Sequence, residues 1–362
     1  MNKDIKTAIQ NAFYESTKVY ANSEPSGEPI LMIDDLENAE KIVLIEDCAS
    51  RVVQSKERLF SPATGDDYGD MAPTALRTRL GDRVLSLVRD CNFAEVFKSF
   101  TTHRFHPAAE SFIRHFRARQ LEKLGGLCLS EGGGLKGHSG LLNGFIDGIR
   151  TEAQSERFKM AVRNHESGVS NSHKRLVDDI ISLSLQHPRL CAAMAYLGYG
   201  KEDSHPVEPE RLMRHLREHH TKATGHYSLF LNHMRSNPLL EQWVGSAHKL
   251  EFGRLRGFYL QVLFLFDGSK VGDDVETGRV IGECWKAATD GEGIYCNCNA
   301  LTGRDKYRGV GMVDRDGTGP TDSLIEWLAG CLTWPDYYAK ISDEGMRQGR
   351  GWEMSLNSAR LL

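Results

Sequence analysis

A nearly continuous apolar run, GFYLQVLFLFDG, occupies residues 257–268 and limits the folds open to this chain. A short run of this kind that ends in Asp-Gly is typical of a strand buried inside a sheet. Successive side chains point to opposite faces of a strand, so Tyr259 and Gln261 share one face with Leu263 and Leu265, and the other face is wholly apolar. The sequence therefore predicts a central strand that carries two polar side chains near its start.

Strand and helix patterns follow one another in a definite order around this run. Strands are predicted over 189–199 and 241–253, with a long helix over 208–235 between them, and the short connection 254–256 predicts a hairpin with the apolar run. A helix that Asp273 or Asp274 can cap comes next, then two short strands and a closing helical region over 322–341. The order β-α-β-β-α-β is the split βαβ arrangement of ferredoxin-like and RRM-like domains. It predicts an antiparallel sheet with helices on one face and an open functional face on the other.

The first half of the chain has a different character. Apolar residues recur at three- and four-residue spacing, which predicts bundle-like helices, and the glycine-rich segment 125–144 lacks the GK[ST] of a phosphate-binding loop. We therefore predict an α+β protein with a helical domain at 1–180, a ferredoxin-like/RRM-like antiparallel sheet domain at 185–345 and a tail at 346–362.

Composition and charge limit the classes of partner that this chain is expected to have. A net charge of −4 over 362 residues gives no global attraction to nucleic acid or to an anionic membrane, so any phosphate-binding surface is a local basic patch. The sequence has no membrane-spanning apolar run and no apolar signal segment at its start, and its scattered cysteines are typical of reduced thiols. These features predict a cytoplasmic protein without a membrane partner.

The second half resembles one protein family. The segments HKLEFGRLRGFYLQVLFLFDGS, YCNCN, YRGVGMVDRD and YYAK resemble the C-terminal domain of inovirus gene-two-type replication proteins, also labelled YagK/YfjJ. That family is similar to the HUH endonucleases, which initiate rolling-circle replication. The resemblance covers about residues 185 to 345 and implies an HUH endonuclease-like fold in a protein of a phage, prophage or mobile element.

The resemblance also implies a metal site. In the family, two histidines one residue apart hold a divalent cation that polarises the scissile phosphate, and a carboxylate from the neighbouring strand completes the set. Here Tyr259 and Gln261 stand at the histidine positions and Glu251 at the carboxylate position. An amide oxygen ligates a hard cation, but a neutral phenol with a pKa of about 10 is a poor ligand. The resemblance therefore implies a weak or lost Mg²⁺ or Mn²⁺ site.

The nucleophile of the family is a tyrosine on a late helix, which forms a phosphotyrosyl link to DNA. The segment Tyr337-Tyr338-Ala339-Lys340 fits the pattern Y-x-x-K. On a helix, Tyr337 and Lys340 share one face, so the lysine could orient the phosphate or lower the pKa of the tyrosine. Packing aromatics are the alternative interpretation of the two tyrosines.

Basic and aromatic residues around the hairpin and a later segment are candidates for contact with single-stranded or hairpin DNA: Lys249, Arg254, Arg256, Lys270, Arg304, Lys306, Tyr307 and Arg308. Such residues are also common in ordinary turns. Three functions remain open: a tyrosine nickase-ligase, a descendant of that fold that only binds DNA, and an interaction protein whose helical half carries the function. The substitution at Tyr259 favours the second of these, and retention of Glu251, Gln261, Tyr337 and Lys340 favours the first.

Overall fold

The computed structural model describes residues 3–22, 29–33, 35–60, 78–124, 138–200, 209–254, 256–301, 309–315, 324–342 and 352–356. The chain divides into two compact units. One, the sheet unit, contains residues 1–36, 169–336 and 340–362, and the other, the helical unit, contains residues 37–168 and 337–339. The sheet unit thus begins at residue 169 in the second part of the chain and also includes the first 36 residues, whereas the sequence predicted a domain boundary near residue 180.

The helical unit is built from amphipathic helices with defined starts. Thr78 caps one helix by accepting a hydrogen bond from the Gly81 N–H, and His106 caps another whose first residue is proline. Aromatic side chains form the core, with the Phe93 and Phe116 ring centroids 4.0 Å apart. The elements are α2 (Leu36–Gln54), α3 (Arg79–Asp90), α4 (Phe93–Ser99), β3 (His103–Phe105), α5 (Pro107–Ala118), a 3-10 turn (Leu121–Leu124), α6 (Ser139–Gln154) and the start of α7 (Glu156–Gln186).

The sheet unit begins with α1 (Lys3–Ser16) and the antiparallel pair β1 (Lys18–Asn22) and β2 (Pro29–Ile33). This pair lies within the first 180 residues, so the prediction of a purely helical first part was incomplete. The later elements are β4 (Arg189–Tyr199), α8 (Pro209–Ser236), β5 (Trp243–Gly253), β6 (Gly257–Asp267), α9 (Asp274–Ala288), β7 (Gly293–Asn297), β8 (Gly311–Asp314), β9 (Ala339–Ile341) and β10 (Trp352–Leu356).

Six of these strands form one antiparallel sheet. Its order is β10-β5-β6-β4-β7, and β8 pairs with β4 beside β7. The hairpin of β5 and β6 is confirmed, and β6, the apolar run, is the central strand and is buried along its whole length. Strand β10 falls in the region predicted as a tail and pairs with β5.

The two faces of β6 follow the predicted alternation. Leu260, Val262, Phe264 and Phe266 pack against α8 and α9, while Tyr259, Leu263 and Leu265 belong to a second core. That second core includes Leu176, Ile180 and Leu183 of α7, together with side chains of the helical segment Leu324–Thr333. Helices therefore cover both faces of the sheet at β6. The predicted open functional face is wrong, because α7 and the C-terminal helical segment bury their own apolar stripes on it.

Candidate functional site

The residues of the predicted metal site lie side by side on the sheet. In the antiparallel register, Glu251 of β5 lies directly opposite Tyr259 of β6, and Lys249 lies opposite Gln261. Directly opposite residues share one face, and positions two apart on a strand share it too. Glu251, Tyr259 and Gln261 therefore share one face of the sheet, but this face is covered by helices and is not the open face of the prediction.

These side chains are buried rather than presented to a substrate. Glu251 is 7% exposed, Tyr259 7% and Gln261 4%. The Tyr259 ring packs 6.2 Å from that of Tyr196 on β4, and the Arg256 guanidinium carbon lies 4.1 Å from the Tyr259 ring centroid. Tyr259 is thus a packing aromatic under a cation, an arrangement that stabilises the hairpin end.

Lys249 holds the positive charge at this place. Its ammonium forms ion pairs with Glu251 and, at 2.8 Å, with Asp336, and its side chain is 2% exposed. Burial alone would lower the pKa of Lys249, but the charges of Asp336 and Glu251 outweigh it and hold that pKa above its ordinary value. Lys249 therefore stays protonated, and the assignment of this residue to DNA contact is wrong.

A divalent cation does not fit this donor set. Burial raises the pKa of Glu251, Lys249 opposes the change, and the nearby Asp336 carboxylate adds to it. The site thus carries two carboxylates that one internal ammonium already neutralises in part, and a metal ion would have to displace that ammonium. Among the described residues, no group of three or more His, Cys, Asp or Glu is arranged to hold a metal ion.

The candidate nucleophile Tyr337 is also buried. It belongs to the helical unit, where its hydroxyl donates to Glu46 Oε1 at 3.4 Å and its carbonyl lies 2.8 Å from His165 Nε2. Burial first, and then the charge of Glu46, raises the pKa of the Tyr337 phenol well above its usual value. A nucleophile needs the opposite shift and access to the phosphate, so this geometry does not activate Tyr337.

Tyr337 and Lys340 do not share a helical face. A 3-10 turn, Trp334–Tyr337, follows the short helix Ala329–Thr333, and Lys340 lies in strand β9. The prediction of helix as far as residue 341 was wrong, because Pro335 has no N–H to continue the preceding helix and the chain tightens and then extends. The Lys340 ammonium is half-exposed and lies 4.0 Å from Asp336 Oδ2.

The remaining predicted DNA-contact residues differ in position. Arg254 is exposed at the turn of the hairpin, Arg256 lies over Tyr259, and Lys270 is paired with Asp267 at 3.2 Å. Arg304, Lys306, Tyr307 and Arg308 lie outside the described residues. Arg254 therefore remains a candidate for DNA contact, because it is exposed.

One exposed basic surface, on α8, was not predicted from the sequence. Leu216 and Ala223 of this helix pack on Phe252 and Phe258 at the end of the hairpin, which turns the intervening positions to solvent. The exposed side chains there include Arg211, Arg214 and Arg217. The signal was present in the sequence, since the apolar stripe of α8 at three- and four-residue spacing leaves these arginines on the opposite face.

A scan against protein-family models gives no match, and neither do searches of the curated proteins and of the solved structures. None of the described helices is long and apolar enough to cross a membrane.

Proposed function

We propose that this chain is a DNA-binding protein of the replication-initiator type that holds single-stranded or hairpin DNA without cutting it. We infer the absence of cleavage from one observation, which is that the Lys249 ammonium lies between Glu251 and Asp336. Cleavage of the HUH kind needs a divalent cation at this place to polarise the scissile phosphate. Here the positive charge belongs to a buried side chain that a phosphate does not reach.

The sheet supports the initiator-type scaffold in this proposal. Strands β4 and β5 are connected by α8, yet β6 lies between them and is antiparallel to both. Helix α9 then leads to β7, which pairs with the other edge of β4. A βαβ unit split by an inserted strand is the arrangement of ferredoxin-like domains. The proposed HUH-like fold therefore rests on this strand order and on the sequence resemblance.

The arginines near the hairpin turn support DNA binding. Arg214 and Arg217 of α8 and Arg254 of the turn are exposed at the end of the sheet unit where α8 packs on Phe252 and Phe258. Arginine binds phosphate through a planar fork of donors and also stacks on bases, which suits single-stranded DNA. The chain as a whole has a net charge of −4, so attraction to DNA would depend on local arginines such as these and not on the overall charge.

Replacing Arg214, Arg217 and Arg254 together by glutamine is expected to weaken binding of a labelled single-stranded oligonucleotide. For every phosphate that the variant no longer neutralises, the slope of log affinity against log salt should fall by about 0.7, because fewer counterions are released. Fluorescence anisotropy over a range of salt concentrations measures both quantities. Hairpin and blunt duplex DNA of the same length would show which form is preferred.

Arg279→Gln is the matched control. Arg279 is exposed on α9 and pairs with Glu276 through two hydrogen bonds, so the variant removes one positive charge elsewhere on the sheet unit. It should leave affinity and salt slope close to those of the native protein. Equal losses in Arg279→Gln and in Arg214→Gln alone would show that binding depends on net charge and not on the α8 surface.

Cutting is tested in the same samples with Mn²⁺ and a denaturing gel. We expect neither a nicked strand nor a covalent adduct. An adduct that disappears in Tyr337→Phe but remains in Tyr338→Phe would replace the proposal with the nickase function. If the native protein binds none of the DNA forms, both functions are excluded and an interaction protein remains.

A further inference from the structure

A pocket opens between α5 and α6 in the helical unit, and it includes none of the residues that the proposed function uses. Both cationic and anionic side chains line it, and two glycines of α6 form part of its wall. Arg114, His115 and Arg119 come from α5 and its C-terminal end, and Gly144, Gly148 and Glu152 come from α6.

Glu152 fixes the orientation of the histidine in this pocket. Its carboxylate accepts hydrogen bonds from Ser111 at 2.8 Å and from Arg114, and its Oε2 lies 3.0 Å from His115 Nε2. An ionised carboxylate only accepts hydrogen bonds, so His115 donates from Nε2. The Nδ1 atom, on the other side of the ring, faces Gly148.

The glycines make room for the two basic side chains. A Cβ atom on Gly148 would lie 2.7 Å from His115 Nδ1 and 3.4 Å from an Arg119 Nη atom. One helical turn earlier, a Cβ atom on Gly144 would lie 3.6 Å from Arg119 Nε. The Arg119 guanidinium and the His115 imidazole therefore lie together against the α6 backbone.

Charge in the pocket is only partly compensated. Arg114 and His115 both face Glu152, and Asp147 at the rim lies 3.8 Å from Arg150. Arg119 is half-buried and has no ion pair with any part of the chain that the structure describes. A guanidinium in this position offers its donors to an anion that enters the pocket.

We propose that this pocket binds phosphate, free or as a small phosphate monoester, between Arg119 and His115. Arg119 supplies charge-assisted hydrogen bonds to two phosphate oxygens. His115, held on its other side by Glu152, lines the pocket next to Arg119. Sulfate has a similar shape and charge, so it should compete with phosphate for Arg119.

Isothermal titration calorimetry of the full chain with inorganic phosphate, at constant ionic strength, tests the assignment. We expect saturable binding of phosphate, with sulfate competing for the same site. Arg119→Gln should reduce the phosphate affinity about tenfold or more, as for loss of a charge-assisted hydrogen bond. Arg117→Gln is the control, because Arg117 lies on the same helix but over the Phe97 ring, 3.7 Å from its centroid.

A second pair of variants tests the shape of the pocket. Gly148→Ala should abolish phosphate binding, because the new methyl group meets His115 Nδ1. Gly140→Ala on the same helix should leave it unchanged, since a Cβ atom there has nothing within 4 Å. The proposal is overturned if the native protein does not bind phosphate, or if Arg117→Gln weakens binding as much as Arg119→Gln.

Discussion

Lys249→Met is expected to lower the free energy of unfolding by about 3–5 kcal/mol, because it removes the only buried cation that pairs with both of the buried carboxylates Glu251 and Asp336 among the described residues. Glu251 and Asp336 both pair with this ammonium, and both are less than a tenth exposed. Methionine has a similar length and packs well, so the loss reports the missing charge and not a cavity. Urea denaturation of the native protein and the variant measures it.

The loss should depend on pH. The pKa of Glu251 is already raised above its ordinary value of 4.5, chiefly by burial, and removal of Lys249 raises it further. A carboxyl group with a raised pKa in the folded state binds its proton more tightly there than in the unfolded chain. The destabilisation that the charged Glu251 carboxylate causes in the folded state is therefore present at neutral pH, and it becomes smaller as the pH falls through the folded-state pKa. The deficit of Lys249→Met should accordingly become smaller in mildly acidic buffer.

Two further variants separate the causes. Lys249→Met combined with Glu251→Gln and Asp336→Asn removes the uncompensated charges and should recover part of the stability at neutral pH. Lys270→Ala removes an exposed lysine paired with Asp267, and an exposed pair contributes only about 1 kcal/mol or less. If Lys249→Met costs no more than Lys270→Ala, the buried ion pairs do not hold this part of the sheet.

The sheet could be predicted from sequence because its signals are local. The alternation along residues 257–267 determines which side chains share a face, and Asp267 and the hairpin connection determine where the strands end. The same alternation would have located Lys249, which is two residues before Glu251 on one strand and therefore on the same face. Charge alone led to its assignment as a DNA contact, although the period of the strand placed it inside.

The covered face and the position of Tyr337 could not be predicted in the same way. Helix α7 packs on the sheet through Leu176 and Ile180, and its amphipathic pattern does not state which surface it covers. The hydroxyl of Tyr337 meets Glu46, which is far away in the chain, and no local pattern encodes such a contact. The sequence therefore could not predict those features of the candidate site that depend on contacts between residues far apart in the chain.

Trp285→Ala is expected to cost about 3–5 kcal/mol of stability, as for other fully buried large aromatics. Trp285 of α9 is 0% exposed, its Nε1 donates to the Gly198 carbonyl at 2.8 Å, and its ring centroid lies 6.0 Å from that of Phe230 on α8. The alanine variant loses this hydrogen bond and opens a cavity between both helices and the sheet. Thermal or urea denaturation measures the loss.

Trp285→Phe and Val275→Ala divide this effect into its parts. The phenylalanine variant keeps most of the apolar volume and loses the hydrogen bond to Gly198, so it should cost less than the alanine variant. Val275 is 40% exposed on the same helix, and its truncation should change stability little. Equal losses for Trp285→Ala and Val275→Ala would contradict a core role for Trp285.

The Trp285 variant also separates folding from binding. Trp285 contacts α8 near Phe230, whereas Arg214 and Arg217 lie nearer the start of that helix, where it packs on the hairpin end. At a temperature where Trp285→Ala is still folded, its affinity for single-stranded DNA should match that of the native protein. The arginine variants should show the reverse, with weakened binding and unchanged stability. If Trp285→Ala weakens DNA binding as much as the arginine variants do, the DNA surface extends beyond the hairpin end of α8.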